Sequence, residues 1–307
     1  IAGLAVANTL PVPLLLAIVT VTSLTQPLSN TGVRTLFPLI VPRHLWERAN
    51  AIDSNGYVVA SIVGPALAGA LVAAFGAPAA LAFTAVLFAA AALVALGMRD
   101  PETKGETGRL LPDAWRGLQY VVRNRSLRAL AVSVSTSNLG WGMFFLALPV
   151  LVLQRFGGGA EFVGVLFALL GISGSVAVLV MGRVSTRGRE RQWLATAMLG
   201  QAAAIGLVLL FPEPLVVAVT MLALGIATGP FDIVLFTLRQ RRTDPAWLGR
   251  AFAVSMALNF VGFPVGSAIG GAVVSFSIEL VLLLAVACDA LAAVFAFFGI
   301  PDEDALA

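Results

Sequence analysis

Charge is what this chain has least of: Asp, Glu, Lys and Arg make up only 11% of it, and Lys104 is its single lysine. Soluble domains carry about 25%, so a water-exposed globular fold is excluded. Cys288 is the only cysteine and sits in an apolar run, which rules out an intrachain disulfide and leaves a small packed residue as its expected role. His44 is the only histidine, and no Walker-type glycine loop is present. The spans therefore offer no His cluster, no nucleophile and base pair and no site for ATP, so neither an enzyme activity, a cofactor nor a metal is expected. The chain begins at Ile1 inside a hydrophobic segment, without a basic n-region or cleavage site. It looks like the C-terminal part of something longer.

Apolar length is what the chain has in excess. Hydrophobic residues make up 59% of it, the mean hydropathy is +0.96, and apolar runs long enough to cross a bilayer, about 20 residues, separate the charged segments. The runs are too continuous for alternating barrel strands, so the fold class is an all-α polytopic membrane protein. Punctuation puts the spans at about 13–38, 49–75, 77–98, 128–153, 161–182, 193–211, 214–238, 249–276 and 279–300, with the end of an earlier span at 1–11. Of the 19 basic residues, 17 lie in four segments, 43–48, 99–128, 183–191 and 239–250, which fall on one side when spans alternate. That side is expected to be cytoplasmic, together with the tail PDEDALA, while GAP, FPEP and SFSIE lie outside. The pI near 9.7 then reflects loop asymmetry rather than a nucleic-acid partner. Trp46, Trp115, Trp193 and Trp247 fit interfacial anchors, and DAWRGLQYVVRNRSLR puts Trp115, Leu118, Val121 and Val122 on one face of an amphipathic cytoplasmic helix.

The stretch SIVGPALAGALV (61–72) is a poor soluble helix, because Pro costs about 3 kcal/mol and Gly about 1 inside one. Its surroundings recur. At an offset of 202 residues, RANAIDSNGYVVASIVGPALAGA (48–70) meets RAFAVSMALNFVGFPVGSAIGGA (250–272) without a gap, with nine identities in 23 positions. Ala60, Gly64 and Ala68 form one smooth face, and the repeat supplies Gly262, Gly266 and Gly270; such faces let helix backbones approach closely. A duplication in one orientation predicts two parallel six-span halves, an arrangement used by secondary transporters, so roughly 80 to 100 residues would precede Ile1.

With these features the sequence resembles the major facilitator superfamily, and within it the bacterial exporters of siderophores and macrolides. On that layout the chain runs from the end of span 3 to span 12. Residues 1–98 are the rest of an N-terminal bundle, 99–127 a cytoplasmic linker, 128–300 a C-terminal bundle and 301–307 a cytoplasmic tail. The family's antiporter motif, G-P-x-x-G-G, reads here Gly64, Pro65, Ala68, Gly69, with Ala60 preceding and Gly271 matching Gly69 in the repeat, and implies export by antiport. GRVSTRGRER (182–191) resembles its loop motif, with Thr186 where Asp would stand; Gly182, Arg187 and Arg191 would latch helix ends. In the span-4 motif Gln26 fits the Gln position, but Ser23 replaces the Arg. The layout also implies that spans 1, 4, 7 and 10 line a central cavity, that 3, 6, 9 and 12 are scaffold, and that 5 and 11 meet between the halves.

Ionisable residues within spans are expensive and mark candidate sites. Asp232, Asp289 and Asp53 qualify as proton-coupling groups; Asp289 lies about 15 Å along its helix, and Asp232 about 27 Å along its own. The layout puts Asp232 first and Asp289 second. A hydrogen bond to a neighbouring helix is the competing role for each. Substrate-cavity candidates are Gln26 and Asn30 in span 4 and Ser133, Thr136, Ser137, Asn138 and Trp141 in span 7, for which polar glue between helices is the alternative. The expectation is a monomeric, multi-pass protein of the bacterial cytoplasmic membrane. It would export small amphipathic molecules of drug, macrolide or siderophore type, in exchange for protons. An uptake symporter or uniporter, or a non-transporting truncated remnant, is the alternative.

Overall fold

The computed structural model describes residues 14, 37, 38, 40–97 and 110–301. A 3-10 turn, Arg43–Leu45, leads into eight helices among these residues: α1 Trp46–Leu96, α2 Leu110–Arg123, α3 Arg125–Val150, α4 Ala160–Met181, α5 Glu190–Leu210, α6 Pro214–Arg241, α7 Leu248–Val274 and α8 Ile278–Gly299. Seven stretches of the described residues are long and apolar enough to cross a membrane. The six spans expected beyond residue 128 are all present, with ends shifted by three residues or fewer. The expected span 13–38 lies almost wholly outside the described residues.

Local chemistry sets the breaks. Gly76 interrupts α1 with φ 81°, a left-handed conformation natural to glycine, and Pro78 biases Ala77 away from helix, so GAP separates two helical stretches. The Asn124 side chain caps Leu127 N at 3.0 Å, and Ser277 caps Leu280 N at 3.1 Å. Pro214 opens α6 at a position where its missing N–H costs nothing. Pro149 near the end of α3 is followed by a π-helical turn, Leu151–Arg155.

Helices α3 to α8 form one bundle in which α3 packs on α7 and α8, α5 on α6 and α8, and α4 on α6. Helix α1 touches this bundle through α4 and α6. Two of the pairings are nearly backbone to backbone. On α7, a Cβ at Gly262 would fall on the carbonyl of Ser135 and one at Gly266 on that of Leu139; on α3, one at Gly142 would fall on the carbonyl of Phe263. On α6, Cβ atoms at Gly225 and Gly229 would run into Ser173 and Ala177 of α4. Lipid gives helices no hydrophobic reason to associate, so such close packing supplies much of the attraction.

Four expectations change here. The glycine face 262–270, expected between the two halves, packs on α3 within its own bundle. Helix α1 does touch α4 and α6, but Ala60, Gly64 and Ala68 are exposed, and a Cβ on Gly64 would meet nothing within 4 Å; the surroundings of Pro65 and Gly69 lie outside the described residues. The linker helix covers only 110–123 of the expected segment, and Val121 turns away from Trp115 and Val122 into the bundle, because Gly117 lets α2 dock against Arg250 and Val254 of α7. Tyr120 stacks on Trp247 at 5.0 Å and accepts from Asp244 N, which fixes that docking. Trp46, expected as an interfacial anchor, is buried and donates to Val41 O at 3.0 Å.

Because the α3 to α7 contact leaves no room for a side chain, Gly266→Val should cost about 2 kcal/mol or more through overpacking. Gly271→Ala, whose Cβ would sit 3.9 Å from Leu146, should be close to neutral. Thermal unfolding in detergent compares the two directly, and equal midpoints would contradict the packing described.

Candidate functional site

A cavity of about 450 Å³ opens between α1, α3, α4, α5 and α6. Helix α3 contributes Asn138, Trp141 and Phe145, which follow one another at helical spacing along one face. Helix α4 contributes Phe167, Leu170, Gly171 and Gly174, α5 Gln201, α6 Thr228, Phe231 and Asp232, and α1 Val58. The aromatic side is continuous: Phe145 lies 5.1 Å from Trp141 and 5.2 Å from Phe167, ring centre to ring centre. Asn138 is held by a 2.9 Å bond from its amide nitrogen to Asn259 O on α7. The site thus pairs a flat apolar wall with a few polar groups and one carboxylate, a surface suited to a molecule with both characters.

The polar run of α3 is divided by the helical turn. Asn138 and Trp141 line the cavity. Ser133, Thr136 and Ser137 do not, because 100° per residue carries them elsewhere: Ser133 and Thr136 bond back to carbonyls of their own helix, and Ser137 is buried against α8. Gln26 and Asn30 lie outside the described residues. Among the three aspartates, Asp232 lines the cavity. Asp53 sits on α1 at intermediate exposure and is not among the lining residues. Asp289 is fully buried in the wall behind, with Oδ1 2.5 Å from Ser137 Oγ and Oδ2 without a partner. Phe145 and Gln201 are cavity residues that sequence reasoning missed, the first because an aromatic in an apolar run carries no signal of its own. For Gln201 a signal did exist. A lone amide among the small residues of 195–206 was the available signal, and assigning span 9 to scaffold obscured it.

At the basic end of the helices a charged clasp joins α1 to the bundle. Arg241 of α6 pairs with both Glu47 of α1 and Glu190 of α5, and Thr186 donates to Glu47 through its N–H at 3.3 Å and its hydroxyl at 3.4 Å. One turn along α1, Asn50 and Gln240 exchange two amide bonds of 2.8 and 3.3 Å. Gly182 does hold α4 against α1, since a Cβ there would fall on Ala51. Arg187, expected to latch a helix end, is exposed at a basic hollow of about 830 Å³, and Arg191 lies over the Phe297 ring at 5.0 Å. The missing loop acid has its counterpart in Glu47, across the contact.

A family model described as transmembrane secretion effector matches residues 1–306. The chain belongs to the major facilitator superfamily. It is 38% identical over 284 residues to the MFS-type transporter y4rN of Sinorhizobium fredii, covering 92% of this chain and 70% of that one. It is 26% identical to an enterobactin exporter, EntS, of Shigella flexneri (88% of this chain, 65% of the relative). With a multidrug efflux pump, Tap, of Mycobacterium bovis it shares 25% (87% and 66%). The chain thus spans about two thirds of the length of these relatives. In fold it is similar to an outward-facing bacterial homologue of ferroportin, with TM-score 0.69 at 15% identity over 90% of this chain and 69% of that one. The proton:xylose symporter XylE gives TM-score 0.70 at 12% identity over 89% and 68%. Family and fold are those of a membrane-embedded transporter rather than an enzyme.

Removing Arg241 would leave two buried carboxylates facing each other unpaired. Arg241→Met should therefore destabilise by about 3 kcal/mol. Glu47→Gln should cost less, because the replacing amide still accepts from Thr186. Denaturant unfolding of the two variants in detergent checks the order, and an equal loss would argue against Arg241 as the centre of the clasp.

Proposed function

We propose that the protein is a secondary exporter of the bacterial cytoplasmic membrane. It moves small amphipathic molecules outward by alternating access, in exchange for entering protons. The observation that carries this reading is the cavity itself, with its aromatic side and, among the described residues, two amides and the carboxylate of Asp232. The relatives named as an enterobactin exporter and a multidrug efflux pump support the outward direction and the substrate class. In this reading 1–98 belongs to a first bundle, 99–127 links it to a second at 128–300, and the tail 301–307 is cytoplasmic. Trp141 and Phe145 stack on the flat part of the substrate, while Asn138 and Gln201 orient its polar part. Asp232 takes a proton from the outside and releases it inside, which changes the charge of the cavity between loading and unloading. Two bundles rocking about this site expose it to one side at a time.

The test is transport in proteoliposomes of the whole protein, with ethidium and a catecholate siderophore as probes under an imposed proton gradient. Uphill movement of at least one probe is expected. Asp232→Asn should abolish it while downhill movement persists, and Trp141→Ala should raise the half-saturating concentration of ethidium roughly tenfold, the worth of an aromatic contact near 1.4 kcal/mol. Gradient-driven movement unchanged in Asp232→Asn would overturn its coupling role. Failure to move either probe uphill would count against export of this substrate class.

A further inference from the structure

We infer that Asp289 is a proton-binding site set behind the cavity wall, and that the hydroxyl of Ser137 transmits its state to the cavity through Gln201. This rests on reading the cavity as the transport site and adds to it a carboxylate that substrate never touches. Asp289 is fully buried on α8, eleven residues beyond Ile278 and ten before Gly299. Its Oδ2 is an acceptor with nothing to accept, a rare condition in a folded interior and one that costs least when the carboxyl carries a proton and is neutral.

The arrangement around Oδ1 is what links this group to the cavity. Ser137 Oγ lies 2.5 Å from Asp289 Oδ1 and 3.4 Å from Gln201 Oε1, and it has one proton for two acceptors. While Asp289 is ionised, the hydroxyl donates to Oδ1 and the Gln201 oxygen goes without it. When a proton arrives, an O–H bond of a hydronium breaks, water is left, and an O–H bond forms at Oδ1 of the carboxyl, the oxygen beside Ser137. The carboxylic acid then donates to Ser137 Oγ, and the freed hydroxyl turns to Gln201. Gln201 lines the cavity, so a proton bound behind the wall changes how a cavity amide is held.

The surroundings isolate this pair from other charges. Helix α8 packs on α3, α5 and α7. Facing Asp289 from α3 and α5 are the uncharged Ser137 and Gly140 and, through Ser137, Gln201. The charged residues of these helices, Arg125 and Arg128, Glu190 and Arg191, and Arg250, stand in the first turns, nine or more residues away along the axes, about 13 Å. On α8 itself Cys288 adjoins Asp289, and Glu279 at the far end is paired with Arg155 at 2.8 Å. Asp232, across the cavity, is the other carboxylate whose titration the cavity would feel.

Two spectroscopic readouts on the whole protein in detergent test the inference without substrate or gradient, so their outcome is independent of whether export is observed. The infrared difference between acid and alkaline samples should contain a carboxylic-acid carbonyl band that disappears in Asp289→Asn and survives in Asp232→Asn. Fluorotryptophan labelling, with the Trp141 fluorine resonance assigned by Trp141→Phe, should show that resonance moving with pH. One step should vanish in Asp289→Asn, in Ser137→Ala and in Gln201→Leu, while the infrared band persists in the last two. A band and a Trp141 step both unchanged in Asp289→Asn would overturn the proton site. A Trp141 step unchanged in Ser137→Ala would overturn the transmission through the hydroxyl. Should Asp289→Asn not fold, the Ser137→Ala and Gln201→Leu spectra decide alone, since the inference predicts loss of the Trp141 step in both.

Discussion

A helix turns 100° per residue, so a span has one circumference to divide among all its neighbours. On α3 that division decides where the rest of the bundle stands. Gly142, Ser135 and Leu139 face α7, where backbone meets backbone. Gly140 and Ser137 face α8, the first making room for Ala285 and Cys288 and the second reaching Asp289. Asn138, Trp141 and Phe145 are left for the cavity. In lipid, where every neighbour is already apolar, contact has to come from small residues and hydrogen bonds, and α3 supplies both on two of its faces.

The clasp and the cavity share α1. Val58, which that helix contributes to the cavity, lies eleven residues beyond Glu47, about 16 Å along the axis. A change in the pairing of Arg241 with Glu47 therefore acts on the cavity through a lever of three turns. The buried position of these charges gives the lever a definite rest state, because breaking the cluster leaves carboxylates without compensation. At its far end the same helix passes through the break at Gly76 in the membrane-length stretch Ala74–Leu96, whose apolar side chains point outward among the described residues.

The limits and helical nature of the six spans beyond residue 128 were legible because a bilayer forces every span to be long, apolar and internally hydrogen-bonded, and FPEP and SFSIE mark ends among them. Asp232 and the pair Asn138 and Trp141 were legible for the same reason, since polar groups at that depth are few. Their neighbours Ser133, Thr136 and Ser137 were misassigned because a run of polar letters does not say which letter faces which helix; that depends on the rotation of α3, fixed by glycine contacts some distance along it. Gly262, Gly266 and Gly270 were recognised as a packing face, but a smooth face does not name its partner. The clasp was invisible as a unit because Glu47, the neighbours Thr186 and Glu190, and Arg241 come from three distant places in the sequence.

The separation of duties on α3 bears on how such a protein can change. Its packing positions Gly140 and Gly142 leave no room for anything larger, whereas toward the cavity it presents Trp141, flanked by Asn138, which is tied to α7, and Phe145, which packs on Phe167 and Phe263. Substitutions at Trp141 can therefore reshape what fits there with little effect on how the helices hold one another, while those at Asn138 and Phe145 act on both. A single span is in this way both the most constrained element of the bundle and the one along which specificity can drift most freely.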